Sequence, residues 1–275
     1  MSFLRSVSGL GPGDHACLVF DIPARRDALV LSFFEEGLLR GDGLVYVDSG
    51  TDGRVAADLS RRATDGQLIV IRGEDAYLQA GGFEPDRVLT MWGETIRTLR
   101  AAGFSSIRSA GGPPLALTCN GHSHELPDYE RRAGELIAGR SVTAMCAYDM
   151  RKTDATALLG IVDAHPIVIY AVRPDGRLRV EQESPTRLHP RGWIDVTTLG
   201  SLVGPLSDAL ASGGNVEIDL RDVDFVDLGG WRLFVEAAGL LAEQSLDLTV
   251  RSAPEWAVSV LGMLGYGEEE GLILQ

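Results

Sequence analysis

Six short apolar runs separated by helical patterns constrain this chain more than any other feature. They lie at 16–20 (ACLVF), 44–47 (LVYV), 67–71 (QLIVI), 104–108 (FSSIR), 142–148 (VTAMCAY) and 165–172 (HPIVIYAV). A strand that is apolar on both faces must be covered on both, the condition of a parallel sheet between helical layers. Apolar residues at helical spacing predict the covering helices at 24–40, 54–62, 84–102, 128–138 and 154–163. In the first of these Leu29, Phe33, Leu38 and Leu39 are expected to face inward. The fold class is α/β, with a mostly parallel sheet carrying helices on both faces. Gly111-Gly112-Pro113-Pro114 follows a strand, where binding loops of such sheets lie.

The rhythm changes at Arg173-Pro174-Asp175-Gly176, which divides the chain into 1–173 and 174–275. Two strands at 178–182 and 188–196 begin the second part, and a helix spans 198–211. A stretch at 215–242 follows, in which Val216, Ile218 and Leu220 alternate with Glu217 and Asp219 as in a half-buried strand. An acidic turn leads to Asp227-Leu228-Gly229-Gly230. Trp231, Phe234, Val235, Ala238, Leu241 and Ala242 then recur at helical spacing, with Asp227 at the N-cap. A strand at 246–251, a helix at 254–264 and a strand at 272–274 complete a second, smaller α/β domain.

Composition narrows the function. The 275 residues are 45% apolar and 23% charged, as in a soluble globular protein. With no apolar run long enough for a membrane span and no signal-peptide pattern, the chain is expected to be cytoplasmic. A net charge of −14 disfavours nucleic acid and anionic membranes as partners. Cys17, Cys119 and Cys146 are odd in number and lack CxxC spacing, so no disulfide framework is expected.

Three chemistries can be weighed. A phosphate loop needs a lysine followed by a hydroxyl residue, yet Lys152 is the sole lysine. Neither Ser8-Gly9-Leu10-Gly11-Pro12-Gly13 nor the turn at 48–53 carries that pair. NTP hydrolysis loses its main parts, although nucleotide binding stays open. For metal, His15, Cys17, Cys146 and His165 flank or occupy strands, and a mixed site is geometrically allowed if those strands converge. Their separation, like that of His122 and His124, matches no recognised ligand spacing, and no metal is expected. Nucleophilic catalysis lacks a G-x-S-x-G elbow. Asp14, His15, Cys17, Arg108, Glu130, Cys146, Tyr148, Asp149 and His165 are candidates to line a ligand pocket at strand ends.

Two resemblances add to this. The part at 176–275 resembles the STAS domain, the anti-sigma factor antagonist family, through Gly192-Trp193-Ile194-Asp195, Val216 to Leu220, Val223 to Gly230 and Val260 to Gly265. That resemblance implies one sheet backed by helices, and a turn D-S-S/T-G in which a partner kinase phosphorylates the second hydroxyl residue. Here the turn reads Asp227-Leu228-Gly229-Gly230; Gly229 stands at the phosphorylated position and cannot accept a phosphoryl group. Asp195, Asp227, Leu228, Gly229, Gly230 and Trp231 are the partner-binding candidates the resemblance implies. The part from about 11 to 173 resembles the MEDS sensory domain, related to RecA-like folds without the phosphate loop. The residues that carry it are Gly13-Asp14-His15, Phe34, Gly37-Leu38, Gly41, Tyr77, Gly103-Phe104, Arg108, Tyr129-Glu130, Cys146-Ala147-Tyr148-Asp149 and His165-Pro166.

The two resemblances together imply a signalling regulator that is not an enzyme. A small organic ligand sensed by the first domain would alter docking of the second on an anti-sigma factor, a serine-kinase-type protein or another STAS protein. No cofactor is assigned. A nucleotide-binding or enzymatic first domain, and an oligomerisation scaffold that self-associates, are the alternatives.

Overall fold

The computed structural model describes residues 5–49, 53–78, 82–114, 117–118, 123–172, 177–254, 261 and 271–275. The chain divides into two compact units, Arg5–Ala171 and Val172–Gln275.

The first unit is built on six parallel strands: β1 (His15–Phe20), β2 (Gly43–Asp48), β3 (Leu68–Arg72), β4 (Ile107–Gly111), β5 (Val142–Asp149) and β6 (Ile167–Ala171). They lie in the order β3-β2-β4-β5-β1-β6. β1, β2 and β5 are buried along nearly their whole length, as continuous apolar runs require. Helices α1 (Pro23–Arg40) and α2 (Arg54–Arg62) cover one face, where Phe33, Phe34, Val55 and Leu59 pack on Leu18, Leu44, Tyr46 and Met145. On the other face, α4 (Pro85–Ala101) and α5 (Leu126–Ile137) pack Ile96, Leu99 and Ile137 on Val45, Ile107 and Ala144, and α6 (Ala155–Ala164) lies against α5. A short helix α3 (Gly73–Tyr77) precedes α4. Pro23 starts α1 and Gly41, in the left-handed region at φ 73°, ends it by donating its N–H to Gly37 and Leu38 carbonyls.

Two local expectations are corrected, and two features were not expected. Leu39 is 85% exposed, because the inward stripe of α1 runs through Val30, Phe33, Phe34 and Gly37. Gly37 carries no apolar signal, yet it lies on Arg108: a Cβ there would sit 2.8 Å from Arg108 Cδ. The strand read at 104–108 begins only at Ile107, and Phe104 instead packs from a turn onto the cluster of Val45 and Leu99. The five residues of α3 are too few to show a period.

The second unit opens with an antiparallel hairpin of β7 (Leu178–Ser184) and β8 (Arg187–Ile194). β8 then pairs in parallel with β9 (Val216–Asp219) at one end and β10 (Asp222–Val226) at the other; β11 (Leu248–Arg251) and β12 (Leu272–Leu274) extend the sheet beyond β9. Helices α7 (Leu199–Ala211) and α8 (Leu228–Ala242) pack together and against the strands, with Leu199, Leu202, Leu206, Leu233, Phe234 and Leu241 buried. Most of the acidic turn read before Asp227 is in fact the strand β10, whose Asp222 and Asp224 face solvent. The boundary residues 173–176, most of the helix read at 254–264, Cys119 and His122 lie outside the described residues.

Candidate functional site

In the first unit the parallel register between β1 and β5 aligns His15 with Ala144 and Cys17 with Cys146. Side chains alternate along a strand, so His15 and Cys146 emerge on the face covered by α5 and α6. Glu130 descends from α5 onto the same spot, and His165 arrives from the residue after α6. Glu130 Oε2 lies 3.2 Å from His15 Nε2 and 3.4 Å from His165 Nε2, while Cys146 Sγ lies 3.4 Å from His15 Nε2. The two imidazole centroids are 4.1 Å apart. Two of the four are fixed from behind. Tyr148 donates its hydroxyl to Glu130 Oε1, and His165 Nδ1 meets the Ile161 carbonyl at 2.7 Å. Gly134 leaves room for the His15 ring, since a Cβ there would lie 3.1 Å from Nδ1.

Burial sets the electrostatics. Glu130 is fully buried, which alone pushes its carboxyl up; hydrogen bonds and the field of His15 and His165 outweigh this and hold it below the usual carboxylate range. His15 is held below the usual imidazole value by burial and by His165. The Cys146 thiol is pushed up by burial and then by Glu130. An activated cysteine needs the opposite shift. A nucleophile–base relay also needs its third group on the far ring nitrogen. Here Cys146 and Glu130 both approach Nε2 of His15, and Nδ1 has no hydrogen-bond partner. The arrangement is convergent, not a relay.

Beside the cluster lies a cavity of about 40 Å³, which His15 and Cys146 share with Val45, Tyr77, Trp92 and Tyr129. Trp92 donates its indole N–H to the Tyr129 hydroxyl at 3.0 Å, so the wall is almost wholly apolar toward the interior.

The remaining candidates lie elsewhere. Cys17 is fully buried beside Cys146, but its sulfur is not among the four convergent groups. Arg108 sits on the opposite face of the sheet, 3.1 Å from Asp42 and 3.3 Å from Glu36, and donates to the Leu10 and Phe33 carbonyls. Asp14 closes its own loop by accepting from Gly11 N–H and Arg5. Asp149 ends β5 and accepts from Arg151 N–H; it lines a separate crevice of about 160 Å³ at the carboxyl ends of the strands, with Ser49, Gly112 and Lys152. The candidates thus do not share one pocket: four gather on one face at the amino ends of β1 and β6, and Asp149 lies at the carboxyl edge. The connection from β1 to α1 is only Asp21-Ile22, followed by Pro23, which has no N–H to offer a phosphate.

In the second unit, Asp227 caps α8. Its Oδ1 accepts from Gly230 N–H at 2.9 Å and its Oδ2 from Val196 N–H at 2.9 Å, which ties the helix start to the end of β8. Burial raises its carboxyl, against the pull of those backbone donors. Asp195 organises the neighbouring turn by accepting from Thr197 and Thr198 N–H. Leu228 is 39% exposed at the start of α8, and Phe225 and Trp193 are exposed on adjacent strands with their rings 6.0 Å apart. Gly230 and Trp231 point the other way. A Cβ on Gly230 would lie 2.7 Å from Val226 and 2.8 Å from Ile194, and Trp231 packs edge-on against Phe234 in the core. Those two candidates hold the domain together and present no docking surface. Gly229 is half-buried, and a Cβ there would lie 3.1 Å from both Asp227 Oδ1 and Leu199.

Residues 14–166 match the model of MEDS, the methanogen/methylotroph, DcmR sensory domain. The chain belongs to the MEDS family. Residues 179–274 match the Mlab, STAS domain model, so a MEDS domain is followed by a STAS domain. That composition is that of a signalling regulator. Among solved structures, the cytoplasmic domain of EssC is similar at 8% identity and a TM-score of 0.33, over 95% of this chain and 80% of that one. No curated protein matches the chain. Among the described residues no helix is long and apolar enough to cross a membrane.

The MEDS cluster collects four of the nine ligand-site candidates, with Tyr148 behind them. The cavity wall was not foreseen, because Val45, Trp92 and Tyr129 are indistinguishable from core residues in a sequence. In the STAS domain, Phe225 and Trp193 were missed as surface residues; large rings on strands normally signal burial.

Proposed function

We propose that this chain is a ligand-controlled adaptor. Its MEDS domain takes a small, largely apolar organic molecule into the cavity beside His15 and Cys146. Its STAS domain docks on an anti-sigma factor or another serine-kinase-type protein. The observation that carries the reading is Leu228, a large apolar side chain left exposed at the capped start of α8. Exposed large apolar side chains are what a protein interface uses as anchors, and the paired rings of Trp193 and Phe225 add apolar surface to the same domain. Asp195 and Asp227 act behind the patch by fixing both turns. Gly229 offers no hydroxyl, so docking in this reading is governed by the ligand state of the MEDS domain and not by phosphorylation of that turn. The chain acts by binding rather than turnover, within the cytoplasm.

The test is titration of the purified chain with the anti-sigma kinases of its own genome. Leu228→Asp is expected to weaken binding at least tenfold, about 1.4 kcal/mol, while circular dichroism and the unfolding midpoint stay unchanged. Unaltered affinity removes the patch as the docking surface. If no kinase binds and the chain instead self-associates through the same Leu228-dependent contact, the scaffold reading replaces this one.

A further inference from the structure

We propose that His15, Glu130, Cys146 and His165 form a binding site for one divalent transition-metal cation of the zinc class. The idea is independent of the ligand reading above.

A tetrahedral zinc site, with metal–nitrogen bonds of about 2.0–2.1 Å and metal–sulfur bonds of about 2.3 Å, sets its ligand atoms roughly 3.3–3.6 Å apart. The separations of 3.2, 3.4 and 3.4 Å among His15 Nε2, Glu130 Oε2, His165 Nε2 and Cys146 Sγ already approach that spacing. All four ligand atoms lie within 4.8 Å of one another.

Glu130 Oε2 and His165 Nε2 are both buried and near each other, yet neither is aligned with a hydrogen-bond partner. Buried polar atoms are almost always satisfied. These two aim at a shared point instead of at one another. The groups behind them are satisfied as outer partners of metal ligands are: His165 Nδ1 donates to the Ile161 carbonyl, which leaves the Nε2 lone pair inward, and Tyr148 occupies Glu130 Oε1.

Binding takes a proton from the Cys146 thiol to solvent, and the resulting thiolate and the Glu130 carboxylate together neutralise a dication. The filled site is neutral, as a buried site must be. A donor set of two imidazoles, one thiolate and one carboxylate suits zinc and cobalt and disfavours magnesium and calcium, which take oxygen donors. His15 and Cys146 also line the apolar cavity, so the cation would fix one wall of it.

The experiment uses the full chain, purified without chelator from zinc-supplemented medium and then exchanged with Co²⁺. The expected result is one equivalent of zinc per chain by mass spectrometry. The cobalt form should show a thiolate-to-cobalt charge-transfer band and the intense visible bands of a tetrahedral site. Cys146→Ser should abolish the charge-transfer band, and His165→Ala should weaken affinity by more than the roughly 10–100-fold that losing an outer partner costs. Cys17→Ser removes the neighbouring sulfur outside the cluster and should retain the band. Folded wild-type protein that takes up neither metal stoichiometrically overturns the proposal, as does a charge-transfer band that survives Cys146→Ser. Because the wild-type measurement stands alone, a variant that fails to fold does not shelter the idea. A metal-free chain that still binds a small molecule would overturn this site and leave the sensor reading standing.

Discussion

Glu130→Ala is expected to destabilise the MEDS domain by about 3–5 kcal/mol, the cost of breaking a buried ionic network by removing one partner. The carboxylate is completely buried; it accepts from the Tyr148 hydroxyl and lies 3.2 and 3.4 Å from the Nε2 atoms of His15 and His165. Without it the Tyr148 hydroxyl loses its partner and two imidazoles are left 4.1 Å apart with no anion between them. Glu130→Gln keeps an oxygen for Tyr148 and should cost less, about 1–3 kcal/mol. Urea denaturation in chelator-treated buffer measures both, so that no cation contributes to the difference. A loss below about 0.5 kcal/mol for Glu130→Ala, the size of an ordinary surface change, would mean that the cluster does not hold α5 and α6 to the sheet.

Arg108→Leu should cost a similar amount, about 3–5 kcal/mol, on the opposite face. The Arg108 guanidinium joins Asp42, Glu36 and the carbonyls of Leu10 and Phe33, and it lies 4.9 Å from the Phe33 ring centroid. Leucine fills the volume but abandons the buried Asp42 carboxylate and two carbonyls. Arg108→Lys should recover only part of the loss, because one ammonium cannot reach four acceptors and stack on a ring. Thermal or urea unfolding of the two variants checks the order wild type, lysine, leucine. Equal stability of all three would show that the network is dispensable. Neither substitution touches the cavity, so a ligand that binds the wild type should bind the folded variants too.

The comparison of these two sites shows what the sequence could and could not reveal. Continuous apolar strands dictate a parallel sheet, and the sheet was legible because each of β1, β2 and β5 is covered on both sides. Side-chain alternation then assigns residues to faces, but only once strand starts are known to a single residue. The three-residue slip at β4 is enough to hide that Arg108 is separated from His15 by the thickness of the sheet. His15 and Cys146 are 131 positions apart, and only the register of β1 against β5 brings them together. Spacing rules for metal ligands see neighbours within one loop or helix, and a site assembled from β1, α5, β5 and the end of α6 escapes them. At Gly230 and Trp231 the difficulty is helical phase: Leu228, the first residue of the helix, faces outward, and two residues later the chain has turned into the core.

Hydrogen–deuterium exchange of the full chain, with and without short-chain alcohols, aldehydes and thiols, tests the central claim most directly. The cavity beside the cluster is small and apolar with a polar edge, which suits molecules of a few non-hydrogen atoms. The expected result is that at least one such compound slows exchange in the segments carrying His15, Glu130 and Cys146, and leaves the strand-end crevice at Ser49, Gly112 and Asp149 unchanged. Protection confined to that crevice, with none at the cluster, would contradict the account and place sensing at the carboxyl edge of the sheet.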